Sequence, residues 1–148
     1  GEFASALVIF RLLASLLLGR AASELTPVQV RISDDKDINR DRTCLLLFAS
    51  TMDRLLLGMR PYWGHEDAPI RTTYIVNYPA RLWRSLIAVL CGRGNSLAEE
   101  DGYHSRNNHT LELFMDGDYI VDGEFFMADS QHGPLRISTT EEIYFLLP

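Results

Sequence analysis

The residues best suited to chemistry lie in the short stretch Val121-Asp122-Gly123-Glu124. An Asp-Gly pair between two apolar runs is typical of the tight turn of a β-hairpin, which gives the stretch a purely structural interpretation. The functional interpretation is that the turn presents a carboxylate at the rim of the fold. Such a glutamate could accept the proton of a substrate hydroxyl, which is a poor nucleophile while protonated. The residues alone leave both interpretations open.

Metal-ligating patterns are weak elsewhere in the chain. The acidic spacing of Asp35–Asp41 resembles the start of a calcium loop, but Arg40 replaces the loop glycine and Leu46 the closing glutamate. This segment is therefore predicted to be a solvated hairpin turn. No pair of histidines has zinc spacing, and all four are predicted in surface loops: His65, His104, His109 and His132.

Phosphate and membrane signals are also limited. The glycine cluster Gly92-Arg93-Gly94 follows a predicted helix instead of opening one, so it indicates a helix C-cap and not a phosphate loop. The chain therefore has no visible ATP site of its own. Arg81 and Arg84 flank Trp83, a combination that could make transient contact with a membrane surface. The alternative is the solvated side of a packed helix.

Composition and charge restrict the class of protein. The 148 residues include 14 basic and 20 acidic side chains, a net charge of −6. This acidic balance argues against a nucleic-acid-binding surface, because phosphate affinity comes from clustered Lys and Arg. Cys44 and Cys91 match no metal or redox spacing and indicate reduced thiols. We expect a cytoplasmic protein, with peripheral membrane contact as an open alternative.

The elements that position the Asp-Gly-Glu turn are mostly strands. Alternating or β-branched runs predict strands, and two leucine-rich segments, Ala4–Leu18 and Pro79–Leu90, predict helices. The apolar N-terminal segment has Glu2 where a signal peptide is basic, which favours an amphipathic helix. The predicted strands are Val28–Ile32, Thr43–Ala49, Ile70–Val76, Thr110–Met115, Tyr119–Val121, Glu124–Ala128, Leu135–Ser138 and Ile143–Leu147.

These strands do not alternate regularly with helices, which disfavours a doubly wound parallel sheet. The predicted fold is mainly β (α+β): an antiparallel β-sandwich of about seven strands with two attached helices, in one domain over residues 1–148. The segment 92–108 is predicted to be a polar loop. A chain that starts within a helix and without Met is expected to be part of a longer protein.

The whole chain resembles the C-terminal domain of diacylglycerol-kinase-type lipid kinases, a family that includes sphingosine kinases and bacterial lipid kinases. Four features carry the resemblance in order along nearly all of the chain. They are the predicted hairpin ending in Cys44–Ala49, the loop Gly58–Gly64 before the strand Ile70–Val76, the leucine-rich helix with Gly-Arg-Gly before Gly102–Arg106, and Tyr119–Glu124 before the Pro-Leu-Arg-Ile strand.

This resemblance implies an enzyme in which ATP and lipid meet between two domains. The missing N-terminal α/β domain would bind ATP, and Mg²⁺ would assist phosphoryl transfer to a lipid hydroxyl such as that of diacylglycerol. Glu124 inherits the role of proton acceptor, and Asp122 is expected to shape the turn and add negative potential near the metal-bound phosphates. The fragment alone is expected to be inactive.

Two departures from the family concern metal and nucleotide contacts. Glu66-Asp67-Ala68-Pro69-Ile70 stands where bacterial members can have a cation-binding Asp-Gly-x-x-Asp stretch, so Asp67 is the one remaining metal-ligand candidate. Ser50-Thr51 replaces the usual Asn-Gly after the second strand. Two alternatives to a kinase stay open: a non-catalytic β-sandwich module that binds a lipid or protein, and a structural domain that mediates a homodimer.

Overall fold

A computed structural model describes residues 26–36, 39–55, 58–77, 82–97, 99–122 and 124–140, without the side chains of residues 83 and 84. The predicted helix Ala4–Leu18 and the predicted strand Ile143–Leu147 lie outside these residues. The described part contains one α-helix, α1 (Leu82–Leu90), and eight strands. The strands are β1 (Val28–Asp34), β2 (Arg40–Ser50), β3 (Ile70–Val76), β4 (Tyr103–Asn108), β5 (Thr110–Met115), β6 (Gly117–Val121), β7 (Glu124–Ala128) and β8 (Leu135–Ser138).

Six strands form one antiparallel sheet in the order β4-β3-β2-β1-β5-β8, and β6 and β7 form a separate hairpin. Strand β2 serves both halves of the sheet. Its residues Arg40–Cys44 pair with β1, whereas Cys44–Ser50 pair with β3, and the register shifts between Cys44 and Leu46. Such a bulge bends a strand and increases its local twist.

The connection from β4 to β5 requires the sheet to curl. His109 alone separates these strands, yet β3, β2 and β1 lie between them in the strand order. Four strand spacings of about 4.8 Å would place β4 and β5 about 19 Å apart in a flat sheet. Two Cα–Cα steps reach only about 7 Å. The bend in β2 therefore belongs to a curvature that brings the two halves together.

Alternation along β3 divides the apolar residues into two clusters. Tyr74 and Val76 pack with Val30, Ile32, Leu111 and Leu113 in a cluster that joins both halves of the sheet. Ile75 points the other way and packs with the buried face of α1, formed by Leu82, Leu86, Val89 and Leu90. This i, i+4, i+7, i+8 spacing is that of an amphipathic helix.

Helix α1 ends at the predicted glycine. Gly92 has φ 72°, its N–H donates to the Val89 carbonyl at 3.1 Å, and the Arg93 N–H donates to the Ala88 carbonyl at 2.8 Å. This is the Schellman arrangement, which satisfies the last carbonyls of a helix. Across the described residues, no helix has the length and apolar character needed to cross a membrane.

Residues 60–66, which we call the strap, cross the outer face of β3 and β4 beside α1. The Ser105 hydroxyl accepts hydrogen bonds from the backbone N–H groups of Trp63 (3.0 Å) and Gly64 (3.2 Å). The Thr73 hydroxyl donates to the Pro61 carbonyl. The Trp63 ring lies against Gly94, where any Cβ would be 2.0 Å from the ring. Side chains of the sheet thus satisfy the backbone of a loop that has no strand partner.

The structure confirms a mainly β, antiparallel fold and all seven predicted strands that fall on described residues. It also confirms α1 over Leu82–Leu90. The loop predicted over 92–108 is wrong in its second half, because Tyr103–Asn108 is strand β4. This strand is polar since its side chains bind the strap, and a polar sequence gives no strand signal. His104 is therefore a buried strand residue and not a surface-loop histidine.

We predict that Ser105→Ala lowers the free energy of unfolding by about 1–3 kcal/mol, because two strap N–H groups lose their acceptor. The matched control is Ser138→Ala, at an exposed position of the edge strand β8. Urea denaturation of both variants measures the difference. Equal unfolding free energies for the two variants would show that the Ser105 hydroxyl does not hold the strap.

Candidate functional site

The β6–β7 hairpin positions the predicted catalytic residues. Val121 pairs with Glu124, so two residues connect β6 to β7, and the first of them is Asp122. Asp122 has φ 49°, a left-handed conformation that a type I′ turn requires and that Asp tolerates better than most residues. This matches the right-handed twist of the flanking strands. The hairpin predicted at this point is confirmed: Asp122 lies in the connection, and Glu124 is the first residue of β7.

Glu124 is exposed at the start of β7. Its carboxylate has no hydrogen bond or ion pair within the described part of the chain, and Asp122 is likewise exposed. The carboxylate is therefore neither buried in the core nor occupied by a cation of these residues. It is accessible to a group that approaches the hairpin from outside.

Several large apolar side chains of the hairpin are unusually exposed. Phe125 is 63% exposed, Met127 79% and Val121 49%. Ile120 pairs with Phe125, so both point to one face of the hairpin. Glu124 pairs with Val121 and shares the other face with Tyr119 and Phe126, whose rings stack with centroids 5.5 Å apart. Contiguous exposed apolar residues mark surfaces that contact a partner, a ligand or a membrane.

The hairpin is acidic as well as apolar. No Lys or Arg occurs between Asn107 and Pro134, whereas five carboxylates lie on or beside the hairpin: Asp116, Asp118, Asp122, Glu124 and Asp129. Two of them hold the loop that follows β7. Asp116 accepts from the Ser130 N–H at 2.7 Å, which lowers its pKa, and Asp129 accepts from the Gln131 N–H at 2.9 Å. The surroundings of Glu124 therefore carry negative potential.

Asp67, the candidate metal ligand, is exposed just beyond the strap and away from the Asp-Gly turn in sequence and in sheet position. Its neighbour Glu66 is committed to structure, since its carboxylate accepts from the Asn107 N–H (3.0 Å) and from Lys36 Nζ (2.9 Å). Among the described residues, no three His, Cys, Asp or Glu side chains lie close enough to hold a metal ion. The described residues thus give Asp67 no three-residue cluster that could hold a metal ion.

The histidines have structural surroundings. His104 is buried and stacks on Tyr74 with ring centroids 4.8 Å apart, and burial lowers its pKa. His109 Nδ1 lies 3.0 Å from an Asp35 carboxylate oxygen, which also accepts from the His109 backbone N–H. His132 lies 2.8 Å from Asp129. Asp35 thus links the β4–β5 connection to the segment that follows β1, which is the segment whose acidic spacing resembles a calcium loop.

The two cysteines are free thiols. Cys44 is buried in the sheet, and this burial raises its pKa to about 11, although the charge of Arg42 acts in the opposite direction. A thiol with so high a pKa is a poor nucleophile at neutral pH. Neither Cys44 nor the buried His104 therefore competes with Glu124 as a reactive group.

Sequence reasoning missed a polar group around the strap. Arg60, Tyr62, Arg71 and Asn107 line a cavity between the strap and the end of the sheet. The sequence signals two of them, Arg60 and Tyr62, through the Gly58–Gly64 loop, whereas Arg71 and Asn107 lie outside it. The cross-strand pairing of Arg71 with Asn107 brings them together, and this pairing depends on the unpredicted strand β4.

Comparison of the chain with protein-family models, with curated proteins and with solved structures gave no match in any of the three.

We predict a pH-dependent contribution of Glu66 to stability. Burial opposes its charged form, but hydrogen bonds from Asn107 and Lys36 outweigh this and lower its pKa to about 2. A carboxyl whose pKa is lowered on folding stabilises the fold above its unfolded pKa, near 4.5, and loses this contribution as the pH falls toward 2. The free energy of unfolding, measured by urea denaturation at each pH, should decrease less steeply from neutral to acidic pH for Glu66→Gln than for the parent chain.

The control for this experiment is Glu100→Gln, at an exposed position in the short 3₁₀ helix Glu99–Asp101. It should keep the steep acid dependence of the parent chain. An unchanged slope for Glu66→Gln between pH 4.5 and 2 would contradict the role of the Glu66 carboxylate in holding the strap.

Proposed function

We propose that this chain is the lipid-substrate domain of a diacylglycerol-kinase-like lipid kinase. Glu124 would act as the general base that accepts the proton of a lipid hydroxyl during ATP-dependent phosphorylation. The observation that supports this proposal best is an accessible carboxylate at the start of β7, bordered on its own face of the hairpin by the exposed side chains of Val121 and Phe126. A lipid alcohol needs both kinds of contact, one for its hydroxyl and one for its acyl chains.

The chemistry demands little more from this domain. Phosphoryl transfer depends mainly on positioning and on neutralisation of phosphate charge, with one group to receive the acceptor's proton. A β-hairpin limits the backbone freedom of Glu124, so its carboxylate can be held where the hydroxyl arrives. Asp122, in its left-handed conformation, fixes the turn that sets this position.

The apolar side chains give the acyl part of a lipid a surface to contact. Val121 and Phe126 lie on the same face of the hairpin as Glu124, and Ile120, Phe125 and Met127 add exposed apolar area on the other face. Their exposure leaves apolar area in water, and covering such area stabilises a complex by about 25 cal/mol per Å². A soluble alcohol without acyl chains would gain nothing from this surface, so the arrangement favours a lipid as the acceptor.

ATP and Mg²⁺ must be held mostly by other parts of the enzyme. Mg²⁺ would neutralise the phosphates and orient them for transfer. The hairpin offers no cation for this task, since Lys and Arg are absent from residues 108–133. Its carboxylates would instead repel an unneutralised triphosphate. The proposal therefore includes a separate ATP-binding domain, as the family resemblance implies, which meets this surface.

We predict that Glu124→Gln lowers the turnover of ATP-dependent diacylglycerol phosphorylation by about 100-fold or more, because loss of a general base removes about 10²–10⁴ in rate. The assay uses the chain together with its ATP-binding domain and follows transfer of labelled phosphate. Asp118→Asn, which removes an exposed carboxylate from the same hairpin, should retain activity. If Glu124→Gln turned over as fast as Asp118→Asn, Glu124 would not be the general base.

We further predict that Phe126→Ser raises the KM for diacylglycerol several-fold with little change in kcat, because this ring shares the Glu124 face and would contact the acyl chains and not the reacting atoms. Stability should fall only modestly, since the ring is 43% exposed. Ile87→Ser is the control, with an apolar side chain 54% exposed on α1. If both variants had the same KM, the apolar side chains of the hairpin would not contribute to lipid binding.

The exposed apolar side chains of the hairpin also support a second candidate function, a non-catalytic module that binds a lipid or a protein segment. Met127, at 79% exposure, lies farther from the turn than Phe125 and is suited to binding whether or not chemistry follows. The two functions differ in their dependence on Glu124. A binding module would keep its affinity in Glu124→Gln and would show no phosphate transfer in the parent protein.

A further inference from the structure

A cavity of about 280 Å³ opens between the strap and the end of the sheet, and no hairpin residue lines it. Its volume is just below the range of about 300–1,000 Å³ typical of small-molecule sites, so it suits a small ligand. The lining is almost entirely polar and consists of Asp53, Arg60, Tyr62, Gly64, Arg71 and Asn107.

The sheet register builds one wall of this cavity. Arg71 of β3 and Asn107 of β4 are cross-strand partners, two residues along from the pair Thr73 and Ser105. Both pairs therefore face the strap, but only the inner pair is covered by it. Arg71 is further oriented by Asp53 Oδ1, 2.6 Å from Nη2, and by the Thr51 carbonyl, 3.0 Å from Nη1.

The strap supplies the opposite wall. Arg60 is anchored through its backbone, whose N–H donates to the Leu90 carbonyl at the end of α1 (3.0 Å). The Tyr62 hydroxyl is mostly buried, and this burial raises its pKa despite the nearby Ser50 hydroxyl and Arg71 charge. Tyr62 therefore keeps its proton at neutral pH and can donate a hydrogen bond.

Asn107, which lines the cavity, has an unused acceptor. Its amide nitrogen donates to the carbonyls of Glu66 (2.7 Å) and Gly64 (3.3 Å). Its Oδ1 is buried without a hydrogen-bond partner in the described part of the chain. A buried acceptor left unpaired is costly, and such atoms in native structures are usually satisfied by water, an ion or a ligand. A ligand hydroxyl could donate to it.

Charge decides the class of ligand. Two guanidinium groups against one carboxylate leave the lining with one net positive charge, in a chain whose net charge is −6. Guanidinium groups bind phosphate oxygens in a bidentate manner. The Asp53 side chain is 73% exposed, and ion pairs so exposed contribute little, so a phosphate could replace Asp53 as the partner of Arg71.

We propose that this cavity binds a phosphate ester that also carries a free hydroxyl, with Arg60 and Arg71 on the phosphate and Asn107 Oδ1 on the hydroxyl. A glycerol phosphate group has this chemistry, whether free in solution or as a lipid headgroup. The proposal does not depend on the kinase function, because the cavity and the Glu124 hairpin share no residue.

The test measures binding of glycerol 3-phosphate to the 148-residue chain by titration calorimetry, without ATP. We expect saturable binding of one ligand per chain, weakened about 10-fold or more in Arg60→Gln because a charge-assisted hydrogen bond is lost. The control Arg31→Gln removes an exposed arginine of β1 that pairs with Asp41, and it should bind like the parent. Thermal unfolding of each variant verifies that it is folded.

A second arm distinguishes the source of the phosphate. Vesicles of phosphatidylcholine with and without phosphatidylglycerol are sedimented with the same three proteins. Retention only by phosphatidylglycerol vesicles, lost in Arg60→Gln, assigns the site to a lipid headgroup, whereas binding of glycerol 3-phosphate alone assigns it to a soluble ester. Failure of both probes to bind the parent chain, or equal binding by Arg60→Gln and Arg31→Gln, would overturn the proposal.

Discussion

The described fold depends on the pairing of two polar strand residues, Thr73 and Ser105, with the backbone of the strap. A loop that crosses a sheet hides N–H and C=O groups from water, and each must find a partner or destabilise the fold. Ser105 accepts two of these N–H groups and is itself within 2.8 Å of Thr73. With the strap held there, Trp63 closes over Gly94, and the cavity lined by Arg60 and Arg71 remains beside it.

The pattern of apolar residues in the sequence predicts those strands and helices that are held by apolar packing. Strands β1, β3 and β5 alternate or are β-branched, β7 is a short aromatic and apolar run after the Asp-Gly pair, and α1 has leucines at helical spacing, so the sequence indicates each of them. Strand β4 could not be predicted in this way, because Ser105 and Asn107 serve the strap and His104 stacks on Tyr74. The cavity was missed for the same reason, since it depends on the register of β4 with β3. The Asp-Gly turn was predictable because its conformation is local.

The two candidate sites differ in what they offer a ligand. The hairpin combines a carboxylate with exposed apolar side chains, which the kinase proposal assigns to an uncharged lipid with a hydroxyl. The cavity beside the strap joins two arginines to an unpaired amide oxygen, an arrangement for an anion. The acidic hairpin would therefore bind an uncharged group, and the basic cavity would bind an anionic one. The kinase proposal rests on the first alone, through the position of Glu124.

The most direct test of that position is NMR of the chain during titration with a short-chain diacylglycerol, with signals assigned for the hairpin and for α1. If the lipid hydroxyl approaches Glu124, the signals of Glu124, Val121 and Phe125 will shift together and saturate, while those of α1 stay unchanged. Saturable shifts confined to residues away from the hairpin, with Glu124 unaffected, would contradict the assignment of this carboxylate to the lipid hydroxyl.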